Sequence, residues 1–161
     1  MSKKICFILS IALSIIILDQ WTKYLVVQHL GLHDAITIIP NCFHIVHVRN
    51  PGAAFGIFAQ WEHGRAFLTA VSAVASLGVF GYFLTLKEND HFTRLALAMI
   101  FGGAVGNLID RMRFGFVVDF IDWHFKDVYH WPAFNVADSS ITVAIGVLLV
   151  GSFFVPKAAE G

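Results

Sequence analysis

The chain has 161 residues, of which 57% are hydrophobic and 14% are charged, and its mean hydropathy is +0.71. An ordinary soluble domain is about 45–50% apolar and about 25% charged, so the composition argues against a soluble domain, excludes a disordered chain and indicates a small integral membrane protein. Eleven basic residues balance eleven acidic ones, which disfavours nucleic-acid binding because no net positive charge attracts phosphate.

Four apolar segments suit a bilayer-spanning role. A helix needs about 20 residues to cross a hydrocarbon core of about 30 Å, and lipid does not tolerate unpaired backbone groups, so each span should be helical. The third segment reaches this length only if it extends into Asp110 and Arg111. Together the spans predict a single membrane domain that covers residues 1–161. The predicted spans are at about 5–27, 66–86, 95–111 and 136–155.

The first span could be mistaken for a secretory signal, because two lysines precede it. It runs into Asp19 rather than into a cleavage site of small residues, so we interpret it as an uncleaved membrane helix. The two cysteines, Cys6 and Cys42, are too few for a disulfide framework and lack metal-ligand spacing. We interpret both as free, small hydrophobic residues.

The even number of spans predicts that both termini lie on one side of the membrane. Five basic residues fall on that side and six on the other, so the charges give no clear positive-inside bias. The N-terminal lysine pair and the short loop at 87–94 favour a cytoplasmic location for both ends. Residues 28–64 and 112–135 are then extracytoplasmic.

The two extracytoplasmic segments differ in composition. Residues 36–48 are rich in β-branched side chains and lead into the turn Asn50-Pro51-Gly52, which favours strands. Residues 112–135 contain seven Phe and Trp residues, which favours the headgroup zone of the bilayer. We therefore predict an all-α membrane protein with four transmembrane helices, a small extracytoplasmic β-sheet and a short interfacial helix.

Polar residues within the spans are functional candidates, because an ionisable group is costly to insert into a membrane. Asp19 and Lys23 are four residues apart and share a face of the first helix. They either neutralise each other as an ion pair or support a nearby polar site. Asn107 and Arg111 share a face of the third helix in the same way.

Glycines precede this polar end of the third span. Gly102 and Gly106 have the spacing that lets two membrane helices approach closely. The spacing indicates either helix packing or room for a substrate backbone beside Asn107.

Asp119 and Asp138 are the main candidates for chemistry. One follows the third span and the other begins the fourth, so both belong to the same membrane surface. Apolar surroundings and a neighbouring carboxylate raise a carboxyl pKa, and a pair sharing one proton can activate water and protonate a scissile carbonyl. Alternatively, each carboxylate caps a helix N-terminus or pairs with Arg111 or Arg113. The spacing leaves both interpretations open.

The histidines are weaker candidates. His44 and His47 are three residues apart, which on a strand places them on opposite faces, so we expect exposed polar residues rather than metal ligands. Asp119, Asp122 and His124 form an alternative metal site, but no metal and no cofactor are predicted.

Five segments resemble the motifs of the lipoprotein signal peptidases, also called signal peptidase II. Their order and spacing agree over nearly the whole chain. The matching segments are Asp19-Gln20-x-x-Lys23, residues 50–56 (N-x-G-x-A-F), residues 102–111 (G-G-x-x-G-N-x-x-D-R), residues 117–120 (V-x-D-F) and residues 134–139 (F-N-x-A-D-S).

The resemblance implies a four-span aspartyl endopeptidase at the outer face of the bacterial cytoplasmic (inner) membrane. Such an enzyme removes signal peptides from prolipoproteins whose cysteine carries a diacylglyceryl group, and it cuts just before that cysteine. Its partners are then these lipidated substrates and membrane lipids, without nucleic acid, and nothing in the sequence requires more than a monomer.

The resemblance also implies roles for individual residues. Asp119 and Asp138 match the catalytic dyad of the family. Residues that line the site or hold the substrate or the dyad are Asp19, Lys23, Asn50, Gly52, Gly103, Asn107, Arg111 and Asn135.

Two other functions are compatible with buried polar residues. A small proton-coupled transporter also uses carboxylates within the membrane, although here they cluster at one surface. A non-catalytic chaperone or subunit is a further alternative, but it gives no reason for so many Asp and Asn residues in the apolar part of the chain.

Overall fold

A computed structural model describes residues 3–52, 57–87, 90–126 and 128–154. These residues form four long helices. Each is long and apolar enough to cross a membrane, which confirms the four predicted spans. The helices are α1 (Lys3–His29), α2 (Gly64–Thr85), α3 (His91–Phe114) and α4 (Val136–Phe154).

Helix α3 is longer than the predicted third span because its ends are capped beyond the apolar stretch. Asp90 precedes the helix, and its side chain accepts a hydrogen bond from the Thr93 amide at 3.3 Å. At the other end Gly115 adopts a left-handed conformation with φ of 81°, and its amide donates to the Arg111 carbonyl at 3.0 Å. The helix therefore includes Asp110 and Arg111 in its last turns.

Helix α3 packs against the other three helices. A Cβ added at Gly102 would lie 3.0 Å from the Ala12 Cα in α1, and one at Gly103 would lie 2.5 Å from the Ala137 carbonyl oxygen in α4. The absence of side chains at these positions permits close helix contact. Side chains on the outside of the bundle are apolar and exposed, such as Leu77 (71%) and Phe153 (85%), as expected for a lipid-facing surface.

The segments between α1 and α2 and between α3 and α4 join in one antiparallel sheet. Its strand order is β1-β2-β3-β4, which confirms the predicted small sheet and places both segments at one end of the bundle. In the central pair, Val48 lies opposite Asp119 and Asn50 lies opposite Val117. The strands are β1 (Ala35–Ile39), β2 (Phe43–Asn50), β3 (Val117–Phe125) and β4 (Tyr129–His130).

The short interfacial helix is not found among the described residues. The aromatic segment at 112–135 completes α3 and then supplies β3 and β4, while residues 57–63 form turns. The prediction failed here because the alternation of apolar and polar residues at 121–125 (Ile-Asp-Trp-His-Phe) matches a strand with two different faces. Residues 53–56 of the N-x-G-x-A-F segment and Val155 of the predicted fourth span lie outside the described residues.

Candidate active site

A buried ionic network links α1 to α3 at the end of the bundle that carries the sheet. The Lys23 Nζ atom lies 2.9 Å from Asp19 Oδ2 and 2.9 Å from Asp110 Oδ2, and it donates to Asn107 Oδ1 at 3.0 Å. Asp19 and Lys23 are 0% and 3% exposed. The predicted ion pair is confirmed, and the lysine also contacts Asn107, a predicted site residue.

The remaining oxygens of this network are also hydrogen-bonded. Asp19 Oδ1 accepts from the Ala137 amide at 2.9 Å, which fixes the start of α4 against α1. Asp110 accepts from Gln20 Nε2 at 2.8 Å and from the Val118 amide at 3.1 Å, which fixes the start of β3. Neither Gln20 nor Asp110 was predicted as a site residue, although the position of Asp110 in the third span is a usable signal.

A cavity of about 800 Å³ lies beside the network, between α3, α4 and the sheet. Its lining includes both Asp119 and Asp138, which approach from different elements, β3 and α4. The remaining lining is mostly apolar. It includes Asn50, Asn107, Arg111, Trp123, Trp131, Phe134, Ile141 and Val143.

Two asparagine amides connect the two carboxylates. Asn135 Nδ2 donates to Asp119 Oδ1 at 2.7 Å and lies 3.2 Å from Asn107 Oδ1. Asn107 Nδ2 in turn donates to Asp138 Oδ1 at 2.7 Å. The sequence predicted that these four residues gather, and the structure brings them together around one cavity.

Asn50 and Arg111 line the same cavity from β2 and from α3. Asn50 Nδ2 donates to Asp119 Oδ2 at 3.1 Å, and its own oxygen accepts from the Gly52 amide at 3.0 Å. Arg111 donates to the Gly52 carbonyl at 3.3 Å and to Ser72 Oγ at 3.4 Å. The predicted residue Gly52 therefore joins Asn50 to Arg111 through its backbone.

Burial, followed by the charge of Asp138, raises the pKa of the Asp119 carboxyl to about 7. Hydrogen bonds from Asn50 and Asn135 and the charge of Lys23 act to lower this pKa, but they do not offset burial. Asp119 is therefore half protonated near neutral pH, as expected for a carboxyl that takes part in acid–base chemistry.

Asp138 also caps the helix on which it lies. The Asn135 amide donates to Asp138 Oδ2 at 3.3 Å, and the Asp138 amide donates to Asn135 Oδ1 at 2.9 Å. This reciprocal pair is a capping box at the start of α4. The capping alternative is thus confirmed for Asp138, and it fixes the carboxylate at the cavity edge. No ion pair with Arg111 or Arg113 is found for either carboxylate within the described ranges.

The predicted glycine Gly103 lies against α4 rather than in the cavity. Gly102 faces α1, and a Cβ at Gly106 would lie 2.8 Å from Asp19 Oδ2. These contacts confirm the helix-packing interpretation of the glycines and contradict the alternative that they leave room for a substrate backbone.

The histidine predictions were wrong in part. His47 is only 3% exposed, and its Nδ1 lies 3.0 Å from the Leu30 carbonyl oxygen, because a bulge in β2 between Ile45 and Val48 turns it inward. His44 is half-buried, 3.5 Å from Asp122.

The alternative metal site at Asp119, Asp122 and His124 is not formed. Strand alternation places Asp119 on the cavity face of β3 and the other two residues on the opposite face, where Asp122 contacts His130 at 2.9 Å. Within the described ranges, no group of His, Cys, Asp or Glu has the arrangement of a metal site.

The walls of the cavity include residues without a predicted individual role. Trp123 and Trp131 come from the aromatic segment, whose richness in Trp and Phe was the only signal for them. Ser139 and Thr142 follow Asp138 on α4. Ser139 ends the F-N-x-A-D-S segment, whereas no sequence pattern distinguishes Thr142 from other polar residues of a span.

Comparisons with known proteins agree with the motifs. A family model described as signal peptidase (SPase) II matches residues 11–154. The chain is similar to the lipoprotein signal peptidase of Syntrophotalea carbinolica, with 46% identity over 91% of this chain and 90% of that protein. It is also similar to that of Geobacter sulfurreducens, with 46% identity over 88% of each chain.

Among solved structures, the fold resembles a bacterial membrane enzyme determined at 2.3 Å resolution, with a TM-score of 0.83 and 30% identity over 98% of this chain and 94% of that one. The family match and the long, similar relatives establish that the chain belongs to the signal peptidase II family.

Proposed function

We propose that this protein is an aspartyl endopeptidase that cleaves signal peptides from prolipoproteins just before a cysteine carrying a diacylglyceryl group. The observation that carries the proposal is the shared cavity of Asp119 and Asp138, whose carboxylates are linked through two asparagine amides. Family membership favours a peptidase over a proton-coupled transporter or a non-catalytic subunit.

In the proposed reaction the two carboxyl groups share one proton near neutral pH. The ionised carboxylate takes a proton from a water molecule, whose oxygen attacks the carbonyl carbon of the scissile peptide bond. The protonated carboxyl donates its proton to the carbonyl oxygen. When the resulting tetrahedral intermediate collapses, the carboxyl that took the proton from water passes it to the leaving nitrogen, and the peptide bond breaks. A hydroxyl proton of the intermediate returns to the other carboxylate, which restores the shared proton of the pair.

The neighbouring residues position this pair. Asn107 and Asn135 orient one oxygen of each carboxylate, and Asn50 orients the second oxygen of Asp119. Asp19 and Lys23 fix the helices that carry Asn107 and Asp138. Arg111 contributes a positive charge to the cavity wall, where it partly balances the negative charge of the dyad.

The apolar side of the cavity suits a lipidated substrate. Ile141 and Val143 line it from α4. On the surface that faces lipid, Val143 is more than half exposed and Ile141 is partly exposed. Trp131, which is 52% exposed, lines it from the sheet side. A signal peptide and an acyl chain, both dissolved in the bilayer, can therefore reach the carboxylates from the side without crossing bulk water.

We also propose that the protein is a monomer in the bacterial cytoplasmic membrane, with both termini in the cytoplasm and the sheet at the outer face. The joining of both inter-helix segments in one sheet supports a common side for them. Labelling with a membrane-impermeant maleimide tests this orientation. In intact spheroplasts the reagent should modify Cys42 but not a cysteine placed at Lys87, and the reverse pattern would contradict the proposal.

The decisive experiment measures cleavage of a diacylglyceryl-modified precursor and of the same precursor without lipid. Asp119→Asn and Asp138→Asn should each reduce the rate by at least about 100-fold, because each removes one half of the acid–base pair. The lipid-free precursor should be cleaved poorly by the unmodified enzyme.

Two matched variants control for folding. Asp122→Asn changes an aspartate on the opposite face of the same strand, and Asp90→Asn changes an aspartate that caps another helix. Both should retain near-native activity. Near-native turnover by either dyad variant would contradict the catalytic assignment, and equal cleavage of the two precursors would contradict the assigned substrate.

A further inference from the structure

The turn that ends α3 carries a stack of aromatic and basic side chains outside the active-site cavity. The Phe114 and Phe116 rings stack with centroids 5.7 Å apart, on either side of Gly115. The Arg113 guanidinium lies 4.9 Å from the Phe114 centroid, and the Arg49 guanidinium lies 4.9 Å from the Phe116 centroid. Stacking on a ring face restricts the orientation of a guanidinium while leaving its N–H donors free to bind.

A third guanidinium approaches the same turn from α2. Arg65 packs over Gly115 so closely that a Cβ at this glycine would overlap its side chain. Arg49, Arg65 and Arg113, which we call the basic patch, come from three different elements: β2, α2 and α3. All three side chains are exposed.

The basic patch has little compensating charge. In the part of the chain that the structure describes, no carboxylate lies within ion-pair distance of any of its three arginines. Glu62 lies three residues before Arg65, and Asp110 lies three residues before Arg113, but Asp110 pairs with Lys23. The patch therefore keeps a net positive charge. Such a patch favours an anionic ligand.

An apolar groove begins beside the patch. A cavity of about 620 Å³ lies between α2 and α3. Glu62, His63 and Arg65 line one end of it, and the rest is lined by Ala66, Thr69, Ala70 and Ala73 from α2 and by Leu108, Arg111 and Met112 from α3. The groove follows two membrane-spanning helices from their ends at the sheet side into the bilayer region. It thus has the shape and polarity to accept an acyl chain while the basic patch contacts a phosphate at headgroup level.

We propose that the basic patch and this groove bind one anionic phospholipid, with its phosphate on the arginines and an acyl chain between α2 and α3. The groove favours a phospholipid over free phosphate as the ligand, because free phosphate has no apolar part that could fill an apolar groove. Bound in this way, the lipid ties together β2, α2 and α3. Arg49 directly precedes Asn50, so the lipid holds the strand that supplies a hydrogen bond to Asp119.

The test titrates the full-length protein in detergent with phosphatidylglycerol or phosphatidylcholine and counts bound lipids by native mass spectrometry. Each arginine near a lipid phosphate contributes about 1 kcal/mol, or about fivefold in affinity. The protein should therefore prefer phosphatidylglycerol by at least tenfold. Arg49→Gln/Arg113→Gln should reduce this preference to about twofold or less.

Matched controls separate the site from general charge and from free phosphate. Lys87→Gln/Lys126→Gln removes the same number of charges elsewhere and should keep the preference. Ala70→Phe fills the groove without changing charge and should weaken phosphatidylglycerol binding, whereas Ala75→Phe, outside the groove, should not. Inorganic phosphate at about 10-fold excess over the lipid should not displace the lipid.

Three results would overturn the proposal. The first is equal affinity for the two lipids. The second is an unchanged preference in Arg49→Gln/Arg113→Gln when this variant keeps the native melting temperature. The third is displacement of the lipid by phosphate alone. Each of them is distinguishable from a failure of the catalytic assignment, because the titration measures lipid binding rather than cleavage and because neither the basic patch nor Ala70 lines the active-site cavity.

Discussion

Two neighbouring regions of this protein use aspartates in opposite ways. In the ionic network, Asp19 and Asp110 each contact the Lys23 ammonium at 2.9 Å, and the other oxygen of each accepts a hydrogen bond, from the Ala137 amide and from Gln20 respectively. In the cavity, Asp119 and Asp138 receive hydrogen bonds mainly from uncharged amides. The first pair shares a cation, whereas the second pair has no cation within ion-pair distance among the described residues.

Asn107 joins the two regions. Its oxygen accepts from Lys23, and its amide nitrogen donates to Asp138. Lys23 and Asn135 both donate to this oxygen and together fix the orientation of the amide, whose flipped form would present oxygen to a carboxylate. Asp19 and Asp110, which are paired with Lys23, thus support the position of Asp119 and Asp138, which have no such partner.

Removing the cation should produce the largest effect on this arrangement. Lys23→Met leaves two buried carboxylates without their partner, which costs about 3–5 kcal/mol when a buried ion pair is broken. We expect a large loss of thermal stability and of cleavage activity, measured by melting temperature and by precursor processing. Lys126→Met, at the exposed tip of the sheet, is the control. A native melting temperature for Lys23→Met would show that the network does not support the bundle.

Forcing the two helices apart should have an intermediate effect. Gly103→Ala places a Cβ 2.5 Å from the Ala137 carbonyl oxygen, and over-packing of this kind costs about 1–3 kcal/mol. The shift separates Asn107 on α3 from Asp138 on α4, so kcat should fall more than KM rises. Gly146→Ala, where a Cβ meets nothing within 4 Å, should leave activity unchanged. Equal behaviour of the two variants would argue against close helix contact as a requirement.

The smallest effect should come from removing one hydrogen bond to the unpaired carboxylates. Protonated Asp119 is present below its pKa of about 7 and is lost as the pH rises through that value, so activity should decline on the alkaline side near pH 7. The Asn50 amide lowers this pKa, and Asn50→Ala should therefore move the decline to higher pH. A pH–rate profile measures the shift. Gln28→Ala, on the exposed side of α1, should leave the profile in place, and a shift to lower pH would contradict the role of Asn50.

The sequence predicted the spans and the gathering of polar residues better than it predicted local detail. Apolar length and the spacing of Asp19 and Lys23 are local properties, so the spans and the ion pair followed directly from them. The inward turn of His47 depends on a bulge that only strand pairing reveals. The missing interfacial helix has the same cause, because pairing with β2 decides the conformation of the aromatic segment.

Among the residues that line the cavity, some were predicted from the sequence and others were found only in the structure. Asp119 and Asp138 were identified from their position beside spans, but nothing in the chain order distinguishes the wall residues Trp123 and Trp131 from other aromatics. Gln20 and Asp110 were missed because their contacts join distant parts of the sequence. Gln20 contacts Gly106 and Asp110, which lie 86 and 90 positions further along the chain.

By itself, the sequence determined that this chain spans a membrane four times, carries a small sheet on one side and places acidic residues at that same side. These properties depend on the hydrophobicity and order of residues along the chain. Only the tertiary structure decided which carboxylates have a cation and which do not. That difference arises because Lys23 reaches Asp19 and Asp110 within the bundle, while the start of α4 directs Asp138 into the cavity that Asp119 enters from β3.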